Sequence, residues 1–105
     1  MKYKREKLSS AIREAAGDYI SRERFTEAMV TVTSVSLNKD MSKAIISVTV
    51  YPESKEKKIS DKLNRGKGAF AKYIKDHTRL SLIPYFSFNI DKGEKYRQHL
   101  DDISP

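Results

Sequence analysis

The sequence predicts an α+β domain in the order α-β-β-α-kink-α-β-α, a three-stranded sheet covered by helices on one face. Three observations predict it: apolar residues at helical spacing along the first segment, stretches of β-branched and aromatic residues that alternate in and out, and two glycines set between short amphipathic helices. With 105 residues the chain is read as one domain, 1–105, large enough for a modest core and too small for two lobes around a cleft.

The first helix is expected from about Tyr3 to Arg22, because Leu8, Ile12, Ala15, Ala16, Tyr19 and Ile20 share one side. Met29 to Leu37 reads as a strand whose alternation slips: Val30 and Val32 have one parity, Val35 and Leu37 the other. A bulge near Thr33 and Ser34 reconciles the two phases. Asn38-Lys39-Asp40 supplies turn chemistry, since both residue types tolerate left-handed backbone and bond to it. Ala44, Ile46, Val48 and Val50 then alternate cleanly with their neighbours, which gives the second strand of a pair.

Pro52 ends that strand by offering no amide to the ladder. Ser54 is expected to cap a helix that begins near Lys55 and turns Ile59 and Leu63 inward, with Lys55, Lys58, Lys62 and Arg65 in one quadrant beside them. Gly66-Lys67-Gly68 interrupts, because each interior glycine costs a helix about 1 kcal/mol relative to Ala. Beyond it Phe70, Tyr73, Ile74 and His77 fall on one side of a second short helix, and Lys72, Lys75 and Arg79 on the other. Phe86, Phe88 and Ile90, alternating with Tyr85, Ser87 and Asn89, form a third strand. Asp91 and Glu94 resemble the capping box of a last helix that turns Tyr96, Leu100 and Ile103 inward.

The formal charge is +7, from 21 Lys+Arg against 14 Asp+Glu, and it is not evenly spread. From Lys55 to Arg79 nine basic residues meet three acidic ones, and residues 1–24 add a surplus of +3, while the remaining stretches are slightly acidic. A local surplus is what attracts a polyanion. Such a run is read either as a solvated helix face or as an electrostatic footprint. The glycine break carries the same pair of readings: a plain helix joint, or a phosphate grip made by a lysine and basic faces on both sides.

Other chemistry is excluded or unsupported. Cysteine is absent, which removes disulfide scaffolds, thiol catalysis and cysteine-ligated zinc, and suits a reducing cytoplasm. No apolar run approaches the roughly 18 residues of a membrane span, and the basic start is not followed by the apolar stretch of a secretion signal. The two histidines, His77 and His99, have no second imidazole at helical spacing, so no metal is assigned. His77 reads as a partly buried structural residue. No serine lies in a nucleophile elbow, Asp101-Asp102 point apart, and the Walker pattern is missing. No catalytic group, cofactor or small-molecule substrate is assigned. Most of the six tyrosines and four phenylalanines fall at core spacing, not on a stacking platform.

The run Val35-Ser36-Leu37-Asn38-Lys39-Asp40-Met41-Ser42-Lys43-Ala44-Ile45-Ile46-Ser47-Val48, the glycine break ending at Gly68, and Pro84-Tyr85-Phe86-Ser87-Phe88-Asn89-Ile90-Asp91 resemble the signature blocks of the ribosome-binding factor A family. The resemblance implies a type II KH-like fold in which the nucleic-acid-gripping G-x-x-G loop is replaced by a kink, usually Ala-x-Gly. Gly68 matches the family glycine, and Gly66 stands where Ala is usual, which predicts a looser kink at Gly66, Lys67 and Gly68. Arg22-Glu23-Arg24 occupies the place of a family Asp-Pro-Arg element.

It further implies a non-catalytic assembly factor that binds the immature small ribosomal subunit and its rRNA near the decoding region. Such a factor supports rRNA end maturation, above all in the cold, and leaves before translation. On this reading Lys62, Arg65, Lys67, Lys72, Lys75 and Arg79, with Lys4, Arg5 and Lys7 at the N-terminus, neutralise rRNA phosphates. The protein is expected to be cytoplasmic, monomeric and without membrane contact. The alternative is a protein-binding adaptor on the same fold, its charge serving solubility.

Overall fold

The computed structural model describes residues 2–23, 25–80 and 82–92. Its elements are α1 (Lys2–Glu23), β1 (Met29–Leu37), β2 (Lys43–Tyr51), α2 (Glu56–Arg65), α3 (Lys67–His77) and β3 (Tyr85–Ile90), with a 3-10 turn at Glu53–Lys55. The sheet runs β1-β2-β3, antiparallel between β1 and β2 and parallel between β2 and β3. A parallel neighbour requires a crossover, and α2 and α3 supply it.

The predicted bulge is present. Val32 pairs with Val48 and Ser34 with Ser47, so Thr33 is the extra residue that lets Val30, Val32, Val35 and Leu37 all pack against the core. In the turn, the left-handed residue is Met41 (φ 62°), not Asn or Asp. Asn38 and Asp40 work through their side chains: Asn38 Oδ1 accepts the Lys43 amide at 2.9 Å, and Asp40 Oδ1 accepts the Ser42 hydroxyl at 2.6 Å. The Ser42 bonds hold the Asp40 carboxyl below its usual range.

One face of the sheet presents Ala44, Ile46, Val48, Val50, Phe86 and Phe88 to Ile12, Ala16 and Ile20 of α1, Ile59 and Leu63 of α2, and Phe70 and Ile74 of α3, all buried. Phe70 is the pivot. Its fully buried ring meets Phe86, Tyr19 and Phe88 edge-on at centroid distances of 4.8, 5.1 and 5.3 Å, the arrangement aromatic quadrupoles favour. The other face, with Thr31, Lys43, Ile45, Tyr85 and Asn89, is open.

Several expectations are corrected. Ser54 caps nothing: it lies inside the 3-10 turn, and α2 begins at Glu56 with no side-chain cap. The break is narrower than three residues. Gly66 alone is non-helical (φ −91°, ψ 13°), and Lys67 and Gly68 already belong to α3. The Gly66 amide donates to the Lys62 and Leu63 carbonyls, and its own carbonyl accepts the Phe70 amide, so hydrogen bonding bridges the joint. A Cβ at Gly66 would find only ordinary van der Waals neighbours, 3.5 Å or more away.

His77 is exposed, not part-buried; it stacks on Tyr73 at 4.0 Å and its Nδ1 lies 3.0 Å from the Tyr73 carbonyl. Asp91 is used by the sheet: its amide donates to Val48 O at 2.7 Å and its carboxylate accepts the Thr33 hydroxyl at 2.7 Å. Glu94 and the rest of the predicted last helix, with Tyr96, Leu100 and Ile103, lie outside the described residues, as do Arg24, His99 and Asp101-Asp102.

Candidate nucleic-acid interface

The two middle helices position most of the predicted cations. On α2, Ile59 and Leu63 anchor the inner side, and Asn64 fixes the rotation. Its Oδ1 accepts the Phe88 amide at 3.0 Å and its Nδ2 donates to the Phe88 carbonyl at 3.2 Å, so the amide side chain pairs with β3 as a strand would. Lys62 is thereby turned toward the segment that follows α1. Its Nζ donates to Glu27 Oε1 at 2.9 Å and stands 5.8 Å from the centroid of the Phe25 ring.

That hydrogen bond, helped by the residue's own backbone amide and by the charges of Lys62 and Lys58, pulls the Glu27 carboxyl down to about 2. Lys57 is likewise held to Asp61 at 3.5 Å. Tyr19 packs beneath the joint, and burial, with Glu23 beside it, pushes its phenol up to about 12.

On α3, Phe70 and Ile74 point inward, which leaves Lys72 and Lys75 outward and exposed. Three residues apart, they are neighbours on the helix surface. Arg65 at the end of α2 and Arg79 just past α3 are also exposed. Among the described residues none of these four has a hydrogen-bond or ion-pair partner. Lys67 faces elsewhere, toward β3, with its Nζ 3.3 Å from the Tyr85 hydroxyl.

The N-terminal set divides in the same way. Lys4 and Lys7 are exposed. Arg5 is committed to the fold: Nη1 donates to the Leu37 carbonyl at 3.1 Å and Nη2 to the Lys39 carbonyl at 2.7 Å, which clamps α1 onto the β1–β2 turn. Of the nine predicted residues, Lys4, Lys7, Arg65, Lys72, Lys75 and Arg79 are thus open to a ligand, while Arg5 and Lys62 are engaged in the fold and Lys67 rests on an aromatic ring. The set predicted from sequence omits Lys58, an exposed cation beside Glu27, and Tyr85, whose only sequence signal is its outward parity next to Phe86.

Among the described residues no three His, Asp or Glu side chains converge as a metal site, and no helix is long and apolar enough to cross a membrane. A groove of about 650 Å³ between α1 and β1 is lined by Arg13, Glu14, Gly17, Ile20, Phe25 and Val32 among others, and by none of the predicted cations. The exposed cations on and beside α3 offer an arrangement of charge that can hold an extended anion.

The architecture and its exposed cations define an α+β domain of the KH-like kind, with a single-glycine helix joint between its middle helices. The family description of ribosome-binding factor A matches residues 4–104, and the chain belongs to that family. It is 34% identical over 104 residues to the ribosome-binding factor A of Carboxydothermus hydrogenoformans, covering 96% of this chain and 83% of that protein. With the one from Finegoldia magna it shares 28% over 102 residues, covering 92% and 84%. The crystal structure of ribosome-binding factor A from Thermus thermophilus superimposes with a TM-score of 0.74 at 20% identity, covering 85% of this chain and 97% of that one.

Proposed function

We propose that this protein is a non-catalytic assembly factor that binds the immature small ribosomal subunit through its rRNA and assists late maturation, including processing of the rRNA ends. It acts in the cytoplasm as a monomer. Family membership supports the ribosomal part of this reading. The observation that carries the RNA part is the set of exposed cations Arg65, Lys72, Lys75 and Arg79 on and beside α3, which have no hydrogen-bond or ion-pair partner among the described residues. Side chains that satisfy no internal carboxylate are free to displace counterions from a phosphate backbone. Phosphate contacts then set affinity, and the shape of the folded rRNA sets where the domain docks.

Sedimentation of a cell lysate tests the reading directly. The protein is expected to travel with free small subunits and to be absent from mature ribosomes. With about four phosphates neutralised, its affinity for those particles should fall on the order of 10²-fold between 50 and 200 mM salt. Migration with neither particle, or salt-insensitive association, would overturn it.

A further inference from the structure

Among the described residues two strongly exposed aromatic side chains stand apart from the ring cluster, Tyr51 at the end of β2 and Tyr85 at the start of β3, and of the two Tyr85 is the one with a lysine ammonium beside its ring. Tyr19, Phe70, Tyr73, Phe86 and Phe88 contact one another around the core, whereas Tyr85 opens β3 on the uncovered sheet face with 64% of its surface exposed. Two lysines flank it. Lys43 is its register partner on β2 and is exposed on the same face. Lys67 comes from the first turn of α3, its Nζ 5.0 Å from the centroid of the Tyr85 ring. The carboxylate on the adjacent turn, Asp40, is turned in to the hydroxyl and amide of Ser42, at 2.6 and 3.1 Å. Packing requires none of this, since Phe86 and Phe88 make the inward contacts of the strand.

We propose that Tyr85 is the stacking seat for one unpaired base of an RNA strand, with Lys67 and Lys43 taking the flanking phosphates. The inference rests on the RNA-binding reading above and adds to it a second, chemically different contact. A free ring face between two ammonium groups matches a nucleotide in both of its parts, a π surface and a negative charge. Every base has such a surface, so the contact tolerates sequence. The ammonium of Lys67 sits at the hydroxyl end of the ring, 3.3 Å from the Tyr85 oxygen, so the face of the ring is left to a base while the ammonium takes the adjoining phosphate. A duplex cannot use the seat, because its bases are already stacked within the helix.

The test is fluorescence anisotropy with the full chain, using a labelled short oligoadenylate and a labelled RNA duplex of the same length. Tyr85→Ala should weaken the single strand about tenfold and leave the duplex within about twofold, while Tyr85→Phe keeps both. Lys72→Glu with Lys75→Glu should weaken both RNAs. If Tyr85→Ala binds the single strand as wild type does, or loses both RNAs equally, the stacking seat is wrong while the RNA-binding reading stands. If it keeps RNA affinity yet no longer sediments with ribosomal particles, the ring contacts protein, and the proposal fails. If the wild-type chain binds neither RNA, both readings fall together.

Discussion

α2 and α3 are alike in length and in basic content, yet among the described residues two cations of α2 are tied to carboxylates while two of α3, like Arg65 at the end of α2, are not. On α2, Lys57 pairs with Asp61, Lys62 with Glu27, and Asn64 is spent on the backbone of β3. On α3, Lys72 and Lys75 have no such partner among the described residues. The difference lies in what each helix faces. The flank of α2 meets the acidic side chain that follows α1, whereas the outer side of α3 meets solvent. A count of lysines along the chain therefore overstates the binding surface, because part of the charge is framework.

The largest expected effect probes that contrast. Lys72→Glu with Lys75→Glu should lower affinity for small subunits on the order of 10²-fold with an unchanged melting temperature, while Lys62→Gln should change affinity less than about threefold. Equal losses from the two variants, measured by sedimentation binding, would erase the distinction between the helices.

Next comes Asn64→Ala, which strips both backbone partners from Phe88. Stability should drop by about 1 to 3 kcal/mol in denaturant unfolding, the cost of leaving part-buried polar groups unmade. Affinity should stay constant once the chain is folded.

A smaller effect belongs to the Lys62–Glu27 pair. Because the Glu27 carboxyl is held down to about 2, the pair's contribution is fully present above the unfolded-state value near 4.5 and is lost as pH falls toward 2. The difference in melting temperature between wild type and Glu27→Gln should therefore be flat above about pH 5 and shrink on acidification. A gap that widens in acid would refute the assigned direction. Solvent screens this exposed pair, so the gap is expected to be small.

Smallest is Gly66→Ala. The backbone there suits an L-residue and has room for a Cβ, so this change should stabilise by about 0.4 to 1 kcal/mol through a less disordered unfolded state. Destabilisation in the same unfolding assay would mean that the joint needs glycine for more than the family habit suggests.

Much of the fold was legible because its signals are local. The phase slip between Val32 and Val35 located a one-residue bulge, and the parity of Phe86 and Phe88 located β3. The turn was placed correctly, but its left-handed residue was not, since a side-chain network around Asn38 and Asp40 left that conformation to Met41. Pairings across the chain were invisible. Arg5 and Leu37 are 32 positions apart, Lys62 and Glu27 are 35, and no periodicity announces either. The same limit hid the exposure of Tyr85 beside Lys67 and that of His77, which stacks on Tyr73 at the end of α3.

The mixed sheet has a consequence for how the chain assembles. β1 and β2 are joined by a tight turn and can pair early, but Lys43 meets Tyr85 only after the intervening helices have folded back across the hairpin. Long-range parallel pairing of this sort comes late, since chain entropy must be given up before any contact rewards it. Side-chain truncations at Ile90 should accordingly raise the unfolding rate far more than they slow folding, whereas truncations at Val48 should do the reverse. The same helices that carry the free cations thus also act as the latch of the sheet.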